Sequence, residues 1–106
     1  MPNIKFNYLY RDSGNYKVFN SVIFKNDSSI NLKELDELIK SKLIYGEWLY
    51  AEEWKLPKLF TCYFDFKIDP TWNEFESIEY TDELPNNELT LKDFVNNLTC
   101  LPLPRV

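Results

Sequence analysis

Apolar residues occupy alternate positions at the start of the chain: Ile4, Phe6, Tyr8 and Tyr10 share one parity, and Asn3, Lys5 and Asn7 take the other. A period of two predicts a half-buried β-strand. Arg11-Asp12-Ser13-Gly14-Asn15 interrupts it with residues that bond to their own backbone or tolerate left-handed φ, which predicts a tight turn. Tyr16 to Phe24 resumes as a strand, so residues 4–24 are expected to form a β-hairpin. Phe19 and Ile23 lie on the opposite parity from Tyr16, Val18, Val22 and Phe24. The second strand is therefore expected to be covered on both faces or bulged near Asn20-Ser21.

The period changes after Ile30. Leu32, Leu35, Leu38, Ile39 and Leu43 form a helical stripe, with Lys33, Glu34, Asp36, Glu37 and Lys40 outside it. Asn31 is placed to cap this helix, Glu34 to return the bond, Ile30 and Leu35 to form a hydrophobic staple, and Gly46 to stop it. In residues 47–58, Trp48, Leu49, Tyr50 and Trp54 suggest a short strand and a helical turn, broken by Pro57. Leu59 to Ile68 reads as a strand with Phe60, Cys62, Phe64, Phe66 and Ile68 on one face, which gives Cys62 a packing role. Asn73 to Tyr80 reads as a further strand with an irregularity between Phe75 and Ile78. Thr90 opens a second helix with Asp93 in the capping-box position, and Leu91, Phe94, Val95 and Leu98 line its buried side. The prolines of the LPLPRV tail make it extended.

The pattern predicts one α+β domain over residues 1–106. Its expected form is an antiparallel sheet of four to five strands, in the order β-β-α-(β)-β-β-α, with the helices packed on one face. A β-grasp-like arrangement is the alternative. No repeat or linker divides the chain.

Composition narrows the chemistry. The 106 residues include eight Phe, seven Tyr and three Trp but no His, the side chain most used for acid–base catalysis and metal ligation near neutral pH. With two distant cysteines and no His, only carboxylate sites for hard cations remain. Glu74, Glu76 and Glu79 do not space like a calcium loop, and Gly14 and Gly46 stand alone instead of forming a phosphate-cradling loop. No catalytic residue, metal or cofactor is assigned. In a reducing compartment Cys62 and Cys100 are expected to be free thiols rather than a disulfide. The opening MPNIKFNYLY lacks the apolar core of a signal peptide, and no stretch approaches the ~20 apolar residues of a membrane span. A cytoplasmic protein that avoids the membrane is expected.

Charge is uneven along the chain. Residues 1–46 carry seven Lys/Arg and five Asp/Glu, whereas residues 47–106 carry five and twelve. Between Ile68 and Leu91 lie Asp69, Glu74, Glu76, Glu79, Asp82, Glu83 and Glu88, without a single base. Such a run repels nucleic-acid phosphates and attracts a cationic protein surface. The plainer reading is a solvated acidic face. The expected function is a non-catalytic interaction module docking on a partner protein with a basic surface. Its candidate contacts are Trp72, Glu74, Glu76, Glu79, Asp82 and Glu83, with Arg11 and Asp12 at the hairpin tip and Trp48 and Trp54 in the aromatic segment. At the tip, the plainer reading pairs Arg11 with Asp12 while Asp12 and Asn15 shape the loop. Alternatives are a small enzyme or ligand-binding domain using carboxylates with Tyr and Arg, and an inhibitor mimicking nucleic acid.

YLYRDSGNYK, LIYGEWLYAEEWKLPKL and TWNEFESIEYTDE carry a resemblance. Together they resemble a group of small uncharacterised bacterial proteins with a Tyr-Arg-Asp…Asn-Tyr-Lys hairpin and a later Trp-x-Glu-Phe segment. The similarity covers roughly residues 4–85. The resemblance implies a bacterial or phage origin, adds no mechanism and carries over no catalytic residue. The expectation of an inhibitor, immunity-type or accessory protein rests on the missing catalytic side chains, the acidic second half and the aromatics.

Overall fold

The computed structural model describes residues 2–28, 30–59 and 72–102. Strands β1 (Asn3–Arg11) and β2 (Lys17–Phe24) form the predicted hairpin, in unbroken register from Ile4 opposite Phe24 to Arg11 opposite Lys17. At its tip the Asp12 carboxylate accepts the Gly14 and Tyr16 N–H groups, both at 2.9 Å. Asn15 takes the left-handed conformation at φ 65°, which Asn tolerates better than most residues. The expected bulge near Asn20-Ser21 is not formed, and β2 is covered unevenly instead. Ile23, near its end, is buried, whereas Phe19, near the tip, is 61% exposed.

Helix α1 (Leu32–Lys42) starts at Asn31, whose side chain accepts the Glu34 N–H at 2.8 Å. The returning arm differs from the expected box. The Glu34 carboxylate accepts from the Asn31 side-chain amide at 3.1 Å, not from its backbone. Gly46 does not stop the helix, which already ends at Leu43 in an extended conformation. Tyr45 and Gly46 have positive φ of 53° and 71°, the pattern of a primed turn, and feed the short strand β3 (Trp48–Leu49). Ile44 and Trp48 exchange backbone hydrogen bonds of 2.8 and 3.1 Å across that turn. The helical turn expected next forms through the Trp54 N–H bond to the Tyr50 carbonyl at 3.3 Å, and Lys55 closes it at φ 57°.

Strand β4 (Asn73–Thr81) lies antiparallel to β1. Tyr8 faces Phe75 and Asn7 faces Ser77, so Glu76 is the extra residue of a bulge where the pattern predicted an irregularity. The sheet order is β2-β1-β4-β3 and every pairing is antiparallel. Helix α2 (Leu91–Cys100) carries the full Thr90/Asp93 capping box. Its four N-terminal N–H groups are all satisfied: Thr90 by Asp93, Leu91 by the Lys25 carbonyl, Lys92 by the Asp27 carboxylate, and Asp93 by the Thr90 hydroxyl.

The fold is α+β: a four-stranded antiparallel sheet with two helices. Ile4, Phe6, Tyr8, Val22 and Phe24 join Leu35, Ile39, Leu91, Phe94 and Leu98 in one core cluster. Phe94 stacks on Phe24 at 4.5 Å, and Phe6 meets Tyr8, Trp54, Phe75 and Phe94 at 5.3–6.1 Å. The predicted strand from Leu59 to Ile68 lies, beyond Leu59, outside the described residues, as do Cys62 and the end of the tail. Cys100 is an exposed free thiol. Among the described residues no helix is long and apolar enough to cross a membrane.

Candidate functional site

The predicted contact residues separate into three environments. Trp54 is 2% exposed and belongs to the core, with its ring 6.1 Å from those of both Phe6 and Phe94. It presents no surface to a partner. The helical turn at residues 50–54 points this tryptophan inward, and the Asn97 side-chain amide ties the turn to α2 by donating to the Glu53 carbonyl at 2.9 Å.

The second environment is the face of the sheet opposite Ile4, Phe6 and Tyr8. It carries a polar network paired largely with itself, together with the buried side chains of Leu9 and Ile23 and the exposed Phe19 opposite Leu9. Arg11 holds Glu74 through two bonds of 3.0 and 3.3 Å and donates a third to Asn15 at 2.6 Å. Arg11 therefore takes Glu74 rather than Asp12, a choice that depends on β4 lying beside β1. Ser21 donates to Asn7 at 2.6 Å, and Asn7 donates to Ser77 at 3.1 Å, which links three strands in one row. Lys5 donates to Glu83 at 2.9 Å, and the Thr81 hydroxyl donates to the same carboxylate oxygen at 2.9 Å. Glu79, opposite Lys5 in the register, shares the field of that ammonium group.

From Glu83 the chain reaches the far edge of the sheet. The Asn86 side chain accepts the Ile23 N–H at 2.7 Å and donates to the Ser21 carbonyl at 3.4 Å, while its backbone N–H bonds the Ile23 carbonyl at 3.1 Å. This connection covers the outer edge of β2 between Ser21 and Ile23.

These contacts shift several ionisable groups. The hydrogen bonds from Lys5 and Thr81 hold the Glu83 carboxyl below its ordinary range. The Lys92 N–H does the same for Asp27, helped by the Thr90 hydroxyl. Lys5 is raised, first by its hydrogen bond to Glu83 and then by that carboxylate's charge. Burial raises the Tyr8 phenol, opposed by the bond from Asn20. Carboxylates lowered on folding contribute stability above their unfolded range near pH 4 and lose it as the pH falls through the folded values. Lys5 has the opposite sign: its contribution is present below its ordinary value and is lost as the pH rises through the raised one. In urea denaturation at a series of pH values, Asp27→Asn and Glu83→Gln should be less stable than the parent at about pH 7, and the difference should shrink as the pH falls below about 4 through the lowered folded values. A difference that stays constant over that interval would show that neither carboxylate is linked to folding in this way.

The third environment is an exposed corner at β3. Trp48 lies 6.0 Å from Trp72, and Tyr45 meets Trp48 edge-on at 6.0 Å. Tyr45 is 66% exposed and Trp72 37%, so the cluster stands largely outside the core. Glu47 and Glu76 flank it and are exposed, and the Glu47 carbonyl accepts the Phe75 N–H at 2.9 Å beside the bulge. Asp82 is exposed at the other end of β4. Among the described residues, Glu47, Glu76 and Asp82 form no ion pair.

Trp48, Trp72 and Glu76 were among the expected contacts, whereas Tyr45 and Glu47, which the fold places at the same corner, were not. The Tyr-Gly dipeptide read as a helix stop, and the positive φ that turns Tyr45 toward Trp48 has no sequence signature for tyrosine. An open depression of about 450 Å³ lies elsewhere, lined by Lys55, Pro57 and residues 86–89. Among the described residues, no three Cys, Asp or Glu side chains gather to hold a metal ion. Comparison of the chain with protein-family models, with curated proteins and with solved structures finds no match.

Proposed function

We propose that this chain is a non-catalytic protein-interaction module of bacterial or phage origin, an inhibitor, immunity-type or accessory protein acting in the cytoplasm. It docks on a basic protein surface through the Tyr45–Trp48–Trp72 corner and the carboxylates beside it, without a cofactor and without binding nucleic acid directly. This reading takes both helices as covering the face of Ile4, Phe6 and Tyr8, which leaves the β3–β4 side for a partner. The observation that carries it is three adjoining aromatic rings outside the core, with Glu47 and Glu76 beside them forming no ion pair among the described residues. Rings of this kind pack against Arg and Lys side chains and are favoured at the centres of interfaces, while neighbouring carboxylates speed the encounter. The surface is narrower than the sequence suggested. Glu74 and Glu83 are neutralised by Arg11 and Lys5, and Trp54 is in the core.

A twelve-residue arginine-rich peptide, titrated at low salt and followed by tryptophan fluorescence, tests the reading. The Trp72→Ala variant and the Glu47→Lys/Glu76→Lys double variant should each bind at least tenfold more weakly than the parent, with unchanged thermal midpoints. Glu79 is a poorer target because reversing it also disturbs Lys5. Equal affinity in the parent and both variants, or no binding by the parent, would remove the proposed surface.

A further inference from the structure

We propose that the loop of residues 82–86 is a second contact, at which Leu84 enters an apolar pocket of a partner protein rimmed by Lys or Arg. The proposal goes beyond the aromatic corner and stands on different residues. Leu84 is 84% exposed, more than Tyr16, Phe19, Tyr45, Trp72 or Tyr80. A lone exposed leucine is ordinary on a protein surface. What sets this one apart is how firmly its neighbours on both sides are held. Before it, the Glu83 carbonyl accepts from the Asn3 side-chain amide at 3.0 Å, and the Glu83 N–H donates to the Thr81 hydroxyl at 3.2 Å. The Glu83 carboxylate takes Lys5 and Thr81, both at 2.9 Å. After it, Asn86 is fixed to β2 through the Ile23 N–H, the Ile23 carbonyl and the Ser21 carbonyl. Between these clamps Pro85 fixes its own φ and biases Leu84 toward extended backbone.

The loop is ordered before any partner arrives, so the entropy of fixing it is not lost again on binding. The apolar side chain it carries gains when removed from water. Charge selects what surrounds the pocket. Asp82 and Glu88 flank the loop and are exposed, no base lies between Ile68 and Leu91 in sequence, and the nearby Lys5 is held by Glu83. A cationic rim meets these acids, whereas a second copy of the chain or an anionic lipid surface would bring like charges together. The loop leaves β4 at Thr81, roughly 25 Å from Asn73. The twelve residues between Leu59 and Trp72 start and end beside Asn73. A chain of that length that returns to its start extends roughly 20 Å at full stretch, so the far end of β4 lies beyond it. Leu84 is displayed there, at the end of the sheet away from the aromatic corner, where a partner can engage one without the other.

The probe is an amino-β-cyclodextrin, an apolar cavity whose narrow rim carries ammonium groups, titrated at low salt against protein labelled at its leucine methyls. The Leu84 methyl resonances should shift, with affinity roughly tenfold above that of unsubstituted β-cyclodextrin and of its carboxymethyl derivative. Leu84→Ser should abolish this site and leave the thermal midpoint unchanged. Pro85→Gly, which keeps Leu84 but loosens the loop, should bind roughly threefold more weakly. The arginine-rich peptide offers no pocket, so its binding should be unaffected by Leu84→Ser. Unmoved Leu84 methyls, with the sugar on Tyr16 or Tyr45 instead, overturn the proposal. Equal affinity for the three cyclodextrins overturns the cationic rim, and parent-like binding by Pro85→Gly overturns presentation by a fixed loop. Dimerisation of the parent that Leu84→Ser abolishes assigns the loop to a second copy and overturns it too. Failure of the cyclodextrin alone, with the arginine-rich peptide still bound, removes this loop and spares the corner; the reverse result removes the corner and spares the loop.

Discussion

Replacing Trp54 with Ala should lower the free energy of unfolding by about 3–5 kcal/mol, the range for deleting a large buried aromatic side chain. The side chain is 2% exposed and sits where the sheet, the helical turn and α2 meet, in ring contact with Phe6 and Phe94. Phe94 is stacked on Phe24, and Phe6 also packs on Tyr8 and Phe75, so the void would lie amid rings that are already engaged. The turn cannot easily collapse to fill it. Its backbone is bonded from Tyr50 to Leu56, and Asn97 anchors its Glu53 carbonyl. Urea denaturation gives the measurement: a large fall in midpoint with little change in slope is expected. Trp54→Phe should recover part of the loss. A Trp54→Ala protein with parent stability but weakened binding to the arginine-rich peptide would return Trp54 to the contact surface and contradict the packing described above.

Trp48 and Trp54 show where sequence legibility stops. Both belong to one short aromatic segment, and the pattern correctly gave a brief strand and a turn. A short run of large apolar residues does not say which of them faces inward, because that depends on where α2 packs. Local features transferred well. The parity of β1, the bulge near Glu76 and the Thr90/Asp93 box each depend on residues a few positions apart, and each was readable. Partner choice across the chain was not. Arg11 has Asp12 as its neighbour in sequence, yet it bonds Glu74, because sheet order places β4 beside β1. The acid-only run similarly looked uniform. In the folded chain Glu74 and Glu83 are paired, while Glu76 and Asp82 remain unpaired among the described residues. Gly46 misled in another way: glycine marks positive φ without distinguishing a helix end from a hairpin turn.

Asn73→Ala should cost about 2–3 kcal/mol, although the residue gave no sequence signal beyond opening a strand. Asn73 is 1% exposed and is the single polar side chain in the buried class among the described residues. Its amide does the work of a short strand: Oδ1 accepts the Leu59 N–H at 3.4 Å, and Nδ2 donates to the Leu59 carbonyl at 3.3 Å. Truncation would leave both backbone groups of Leu59 without that partner, and unsatisfied buried groups cost more than the lost bonds gain. Asn73→Asp separates this effect from simple packing. It keeps the acceptor, loses the donor and buries a carboxyl whose pKa burial should raise. Its stability should therefore improve as the pH falls through that raised value, because protonation restores a donor and removes the charge. Denaturation of both variants from about pH 7 to about pH 4 checks the sign. Trp72 adjoins Asn73, so the clamp on Leu59 also helps to place Trp72 against Trp48. Loosening it should weaken the arginine-rich peptide as well as the fold. An Asn73→Ala protein with the parent's unfolding free energy would show that pairing with Leu59 contributes nothing, and the aromatic corner would then need another support.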